Sequence, residues 1–334
     1  MAKVKHESQW YPLEAGESVL DGLLRQGVSV PNSCRAGACQ SCLMKAVRGT
    51  VPEAARVGLK DTLVAQGYFL ACTCRPTEGA ELEVAGAEDL RVPARITSLT
   101  MLSSDVLRVR LHADAPFEYR AGQYLSLVRG DGLARSYSLA SLPHEGVLEL
   151  HVRLIPGGEM SGWLATEARP GDAVHVQGPA GNCFYVPGRP EQPLLLAGAG
   201  TGLAPLYGIV RDALGAGHTG PIWLFHGART PAGLYLRDAL RELAERHPHF
   251  HYRPSVLTGG SRDVAEGALD VLIRAECPKP VGYRAWLCGD PQLVLSLRKK
   301  LFLSGLSLKD LHADSFLPSA PQVETTASSA SGAR

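Results

Sequence analysis

Residues 34 to 42, CRAGACQSC, place Cys34, Cys39 and Cys42 in one short loop, and Cys72 follows after a further 29 residues. No other feature of the chain restricts its fold as strongly. Between the thiols stand Ala36, Gly37, Ala38 and Ser41, side chains small enough for the backbone to pass close to whatever the sulfurs hold. Such a loop cannot be a hydrophobic core element, since it has nothing bulky to bury.

The spacing C-x4-C-x2-C followed by a distant cysteine is the plant-type [2Fe–2S] ligand pattern. Close backbone lets amide N–H groups point at the sulfurs, and the fourth thiolate must come from elsewhere to close the cage. A structural zinc site would instead pair C-x2-C with a second such pair or with histidines. The metal ligands read here are therefore Cys34, Cys39, Cys42 and Cys72. Cys74, two residues on, competes for the fourth place, and the gap of 29 residues favours Cys72.

The other cysteines, Cys183, Cys277 and Cys288, are scattered among a total of eight, which does not suggest a disulfide framework. A net charge of +1 and the lack of a basic stripe exclude nucleic acid as a partner. No apolar run approaches the roughly 18 residues of a membrane span, and MAKVKHESQW has no apolar signal-peptide core. The expectation is a cytoplasmic monomer, with no membrane partner.

At 334 residues the chain should hold two or three domains. Up to residue 90, ESVLDGLLRQ reads as an amphipathic helix stopped at Gly27, and LMKAVRG, FLACTCR and AELEV read as strands. Over 91–190, short alternating runs (ARITSLTML, DVLRVRLH, QYLSLV, RSYSLAS, VLELHVRL, AVHVQG) predict a small antiparallel β-barrel. Over 191–318, strand-like PLLLAGAG, IWLFHGAR, YRPSV and AWLCG alternate with helical LYLRDALRELAERH and PQLVLSLRKKLF, the pattern of a parallel α/β sheet. Residues 319–334 are polar and low in complexity, and disorder is expected there.

Three further stretches carry binding chemistry. In RSYSLAS, alternation puts Arg135, Tyr137 and Leu139 on one face and Ser136 and Ser138 on the other. In HVRLIPGGEMSGWL, a Gly157-Gly158 turn leads into a helix read as capped by Ser161, a seat for phosphate. LAGAGTGLAPL sets a glycine-rich turn after a strand, yet G-x-G-x-x-G fails, because position 203 is leucine and the third glycine is Gly202. With LCGDP, a second strand end, it should line one ligand crevice.

Taken together, these motifs resemble the ferredoxin-NAD(P) reductase-type flavoproteins with an N-terminal plant-type ferredoxin domain, the reductase components of bacterial multicomponent oxygenases. The resemblance implies a β-grasp ferredoxin domain, an antiparallel FAD-binding barrel and a parallel α/β nucleotide-binding domain. It implies FAD, a [2Fe–2S] cluster and NADH as cofactors, with NADPH left open by Arg229 after the His226-Gly227 strand end. Arg135, Ser136, Tyr137, Ser138 and Leu139 would match the flavin motif, with Arg135 on the pyrophosphate and Ser138 near the reactive ring nitrogen. His151, Val152, Gly157, Gly158 and Ser161 would match the second flavin segment. Gly200, Thr201 and Gly202 match the dinucleotide loop. Cys288, Gly289 and Asp290 match the element beside the nicotinamide, and Phe316 is the candidate for the flavin's open face. Ser138 and Cys288 would be the catalytic pair. Other histidines, His6, His112 and His226 among them, read as surface or structural. The implied activity is electron transfer from NADH through FAD and the cluster to a protein acceptor, an oxygenase component or its ferredoxin. Related reductases serve deoxysugar dehydratases, and a non-enzymatic nucleotide or metal sensor would use the same folds.

Overall fold

The computed structural model describes residues 1–317; the expected disordered tail, 319–334, lies outside the described residues. By internal packing the chain divides into two units, residues 1–90 with 131–135, and residues 91–130 with 136–317.

The N-terminal unit is a five-stranded mixed sheet with a helix across it, the β-grasp arrangement. Its elements are β1 (Lys3–His6), β2 (Gln9–Pro12), α1 (Val19–Arg25), β3 (Leu43–Arg48), the short α2 (Asp61–Ala65), β4 (Tyr68–Leu70) and β5 (Glu81–Gly86). Strand order is β2-β1-β5-β3-β4, with β1 parallel to β5 and the other pairs antiparallel. Helix α1 starts where Ser18 Oγ accepts from the Asp21 N–H at 3.1 Å. It ends before Gly27, whose φ of +82° only glycine adopts freely. Val19, Leu20 and Leu23 are fully buried against Val4, Leu82 and Phe69, each worth about 2 kcal/mol of burial.

FLACTCR is not a strand throughout: β4 stops at Leu70, and residues 71–73 turn back on it, with the Thr73 and Cys74 N–H groups donating to Leu70 O at 3.2 and 3.1 Å. The turn reaches Cys74 into the core, where it is fully buried.

Two further sheets follow, with Ala134 and Arg135 of one strand counted in the first unit. The antiparallel one is built from β6 (Arg91–Met101), β7 (Val106–Ala113), β8 (Tyr124–Val128), β9 (Ala134–Ser138), β10 (Leu148–Arg153) and, after α3 (Glu159–Thr166), β11 (Ala173–Ala180). Its order is β10-β7-β6-β11-β8-β9. A Leu139–Leu150 bridge and the Ala140 N–H to Glu149 O bond at 2.9 Å join the two ends, so the sheet curls into a barrel.

The parallel sheet comprises β12 (Leu194–Ala199), β13 (Ile222–Ala228), β14 (Phe250–Val256), β15 (Ala265–Glu266), β16 (Arg284–Gly289) and β17 (Leu311–Ser315). Helices α4 (Leu203–Gly215), α5 (Arg237–Arg246), α6 (Leu269–Glu276) and α7 (Pro291–Leu303) connect them. The order β15-β14-β13-β12-β16-β17 puts the chain reversal between β12 and β16, where a doubly wound sheet opens its ligand crevice. Helix α5 begins at Arg237, not at Leu234. Leu236 takes a left-handed φ of 55°, and Tyr235 is buried instead of lying on a helix. Among the described residues, no helix is long and apolar enough to cross a membrane.

Candidate functional site

In the N-terminal unit the cysteine loop is irregular, with positive φ at Arg35 (50°), Gly37 (76°) and Gln40 (58°). These reversals wrap the chain so that N–H groups face sulfur: Cys34 N to Cys39 Sγ at 3.4 Å, Ala36 N to Cys34 Sγ at 3.4 Å and Cys39 N to Cys34 Sγ at 3.3 Å. At Gly37 a Cβ would sit 3.1 Å from Thr73 Cγ2, which keeps the loop tight against the 71–74 turn.

The thiols meet in two pairs. Cys34 hydrogen-bonds Cys39, and that bond, helped by nearby N–H groups, draws Cys34 down to about 5 while pushing Cys39 up. Cys42 hydrogen-bonds Cys72, which lowers Cys72 and raises Cys42. Cys74 joins neither pair; burial pushes its thiol up to about 12. Among the described residues no three metal-binding side chains converge on one point, as a single zinc ion would need. Two thiol pairs backed by N–H donors suit two irons, so the residues fit a [2Fe–2S] cluster.

The second site lies where β12, β16 and β17 end beside the barrel. Gly198 is in register with Cys288, and Cys288 with Asp314. A Cβ on Gly202 would stand 2.2 Å from the Cys288 carbonyl oxygen, and one on Gly198 would stand 2.7 Å from it. This explains why the third glycine stands at 202 and not 203: the 3-10 turn Gly200–Gly202 that leads into α4 passes against the Cys288–Gly289 peptide. Gly200 (φ 54°) makes the bend itself. Asp290 caps α7, its carboxylate accepting from Gln292 N at 2.9 Å and Leu293 N at 3.2 Å. Phe316 follows β17 and donates its N–H to Gly289 O at 2.8 Å, which sets it beside the same element.

Ser138, at the end of β9, donates its hydroxyl to Asp314 Oδ2 at 3.2 Å, tying the barrel to β17. Burial raises the Asp314 carboxyl to about 6, against the lowering effect of that bond. The Cys288 thiol is fully buried, and burial and a hydrogen bond to Cys183 push it up. Ser138, Cys288 and Asp314 are thus brought together. Asp314 and Cys183 were missed by the sequence reading; a carboxylate on the strand in register with Cys288 was the available signal for the first.

Other expected residues fall into place less directly. Arg135 is half-buried and donates Nη1–H to Ala134 O at 2.8 Å. Ser136 Oγ lies 3.3 Å from Ser126 Oγ, and Tyr137 is half-buried. Leu139 and Val152 are fully buried, so only their main chains can face a ligand. The His151 imidazole points inward, bonding Tyr235 OH at 3.1 Å and Glu149 Oε1 at 3.1 Å, and Arg110 Nε donates to Glu149 Oε2 at 2.7 Å. Tyr235 packs edge-on against both His151 and His226, centroids 5.2 and 5.7 Å away, which links the barrel to the parallel sheet. Burial holds His226 down at about 3, a structural role. Ser161 is not the helix cap. Gly158 holds that position, while Ser161 Oγ, inside the first turn, accepts from Ile155 N at 3.2 Å. The Gly157 φ of 71° shapes the preceding turn.

Three family descriptions match successive parts of the chain: "2Fe-2S iron-sulfur cluster binding domain" over residues 4–77, "Oxidoreductase FAD-binding domain" over 93–185 and "Oxidoreductase NAD-binding domain" over 196–299. These define an iron–sulfur flavoprotein oxidoreductase. The naphthalene 1,2-dioxygenase system ferredoxin–NAD(P)+ reductase component of Pseudomonas putida is 33% identical over 314 residues, covering 92% of this chain and 95% of that one. The aromatic O-demethylase reductase subunit of an Amycolatopsis species is 37% identical over 323 residues, covering 91% and 95%. Among solved structures, an Amycolatopsis cytochrome P450 reductase superposes with a TM-score of 0.69 at 34% identity, covering 95% of this chain and 99% of that one. The ferredoxin reductase in carbazole 1,9a-dioxygenase gives 0.65 at 25% identity, covering 94% and 98%. The chain belongs to the ferredoxin–NAD(P)+ reductase components of oxygenase systems. It is an NAD(P)H-dependent oxidoreductase of FAD and [2Fe–2S] type.

Proposed function

We propose that this chain is the NADH-dependent reductase of an oxygenase system, delivering electrons to an oxygenase component or to that component's ferredoxin. The observation that carries the reading is the meeting of Ser138, Cys288 and Asp314 at the crevice of the parallel sheet, in a chain whose N-terminal unit also gathers four thiols in two pairs. Bound FAD supplies the conversion of a two-electron hydride donor into single electrons, which a cluster accepts one at a time. The protein's own contribution is placement. Gly200 and Gly202 let the dinucleotide backbone approach α4. Cys288 and Gly289 would hold the nicotinamide end, and Phe316 would cover the flavin. Ser138, fixed by Asp314, would offer its hydroxyl to the flavin ring, and Arg135 would balance the FAD pyrophosphate. Cys34 with Cys39, and Cys42 with Cys72, would hold the cluster.

The relatives named for a dioxygenase system, for an aromatic O-demethylase and for a cytochrome P450 support an oxygenase as the acceptor. NADH is the donor on the family resemblance alone: β13 ends at Ala228 with no acidic residue to bind a ribose hydroxyl, and Arg229 just beyond it is the residue that would pair with the 2′-phosphate of NADPH. Eight free cysteines suit a reducing cytoplasm, and a chain carrying all three cofactor domains needs no second copy for the route, so a monomer suffices. The test is an anaerobic absorbance titration with NADH and, separately, NADPH, with iron, sulfide and flavin assayed on the same sample. Bleaching at far lower NADH than NADPH is the expected result; preferential bleaching by NADPH overturns the donor assignment, and flavin that neither nucleotide reduces overturns the function.

A further inference from the structure

The N-terminal unit is electrically two-sided. Residues 31–77, which contain all four cluster cysteines, carry six Lys/Arg against two Asp/Glu, a net +4. Residues 1–30 and 78–90 carry three against nine, a net −6. In the sheet β3 and β4 stand at one edge and β2 and β1 at the other, with the acidic strand β5 between them. On the acidic side the few cations are neutralised: Lys3 by Glu81 at 2.8 Å, Lys5 by Glu83 at 3.0 Å and Arg25 by Glu17 at 2.8 Å. Of the six cations in the positive stretch, Lys45 and Arg48 lie on β3, Arg48 opposite Glu83 of β5, which leaves Arg35, Arg56, Lys60 and Arg75 for the segments around the cysteine loop.

Four cations belong to that loop or to the segments fastened against it. Arg35 follows Cys34, and Arg75 follows Cys74. Arg56 and Lys60 flank a turn whose Gly58 carbonyl accepts from the Gln40 side chain at 2.9 Å, which fastens it beside Cys39. Lys60 and Arg75 are exposed, as are Ala36 and Ala38 of the loop, and Val57 is 69% exposed between the two flanking cations. Arg35 is partly offset by Asp21, 3.8 Å away. Small side chains directly over the thiols, ringed by charge, make a surface on which a second protein can come close to the cluster.

We propose that this cationic rim is the surface on which the electron acceptor docks, and that the acceptor presents a carboxylate-rich face around its own redox centre. The inference rests on the reading that the cluster is the exit for electrons. Charge of one sign at the exit raises the encounter rate with partners of the other sign, by 10- to 1,000-fold in strongly steered cases, and salt removes the gain. Positive charge also repels the wrong partner.

The test uses the whole chain and defined probes. The protein is reduced anaerobically with NADH, then mixed in a stopped flow with an anionic one-electron oxidant, tris(oxalato)cobaltate(III), or a cationic one, hexaamminecobalt(III), while cluster absorbance is followed. Raising salt from roughly 20 to 300 mM should slow the anionic reaction about tenfold and speed the cationic one. Lys60→Glu with Arg75→Glu should flatten or invert both trends, with the rate of flavin reduction by NADH unchanged. Equal salt dependence for the two oxidants, or trends untouched by the double variant, overturns the docking surface while leaving the reductase reading intact. A cluster that NADH leaves oxidised overturns the exit reading itself, and the docking inference falls with it.

Discussion

Replacing Gly202 by alanine tests the crevice most sharply. The residue already has helical φ and ψ of −58° and −18°, so alanine costs nothing in backbone strain. The whole effect is steric: the added Cβ would lie 2.2 Å from Cys288 O, 2.8 Å from Cys288 C and 3.1 Å from Gly289 Cα. An ordinary carbon–oxygen contact needs about 1 Å more than the first of these, so the α4 turn or the Cys288–Gly289 peptide must move by that amount. Overpacking of this kind costs about 1–3 kcal/mol. A displacement of about 1 Å at a hydride-transfer site costs on the order of 100-fold in rate. The assay is NADH-dependent ferricyanide reduction, with FAD and iron content measured alongside. We expect kcat/KM for NADH to fall about 100-fold with both cofactors retained. Gly215→Ala, at the other end of α4 where a Cβ meets nothing within 4 Å, should leave activity unchanged. A Gly202→Ala protein with full kcat/KM would refute the claim that this close approach builds the nucleotide site.

Three further outcomes are expected. Cys72→Ser should lose the cluster's visible bands and iron while Cys74→Ser keeps them; the reverse result would reassign the fourth ligand. Asp314 is raised by burial from 3.8 to about 6, so the folded state resists its ionisation and loses up to about 3 kcal/mol as pH climbs from roughly 4 to above 6. Asp314→Asn removes that loss, so its melting temperature should exceed the parent's at pH 7 and converge with it near pH 4, and a constant offset at all pH values would contradict the burial argument. Arg135→Ala should weaken FAD retention on gel filtration without changing iron content; unchanged flavin content would remove Arg135 from the pyrophosphate role.

Much of this was readable from local pattern. The cysteine spacing, the alternating runs of the barrel and the strand–helix rhythm after residue 193 are short-range signals, and each produced the element it implied. What the sequence concealed depends on partners distant along the chain. The strand reading of FLACTCR failed because its apolar residues are buried by a turn as well as by a strand, and the hydrogen bond that distinguishes Cys72 from Cys74 is made with Cys42. Ser161 looked like a cap because serine favours that position, yet its hydroxyl serves Ile155 from inside the first turn. Leu234 to Leu236 looked helical, but Tyr235 is held by His151 from the barrel, and Leu236 turns left-handed to permit it. Asp314 meets Ser138 across 176 residues, a contact set by the register of β17 on β16 that no local pattern encodes.

The central claim is that electrons from NADH pass through the flavin to the cluster. Freeze-quench electron paramagnetic resonance of the anaerobic full-length protein mixed with NADH tests it directly, with flavin absorbance followed in parallel. The account predicts that flavin absorbance falls first and that the signal of a reduced [2Fe–2S] cluster grows in after it, and is absent in a Cys72→Ser sample. A flavin that is fully reduced while the cluster stays silent, or a cluster signal that rises before the flavin bleaches, would contradict it.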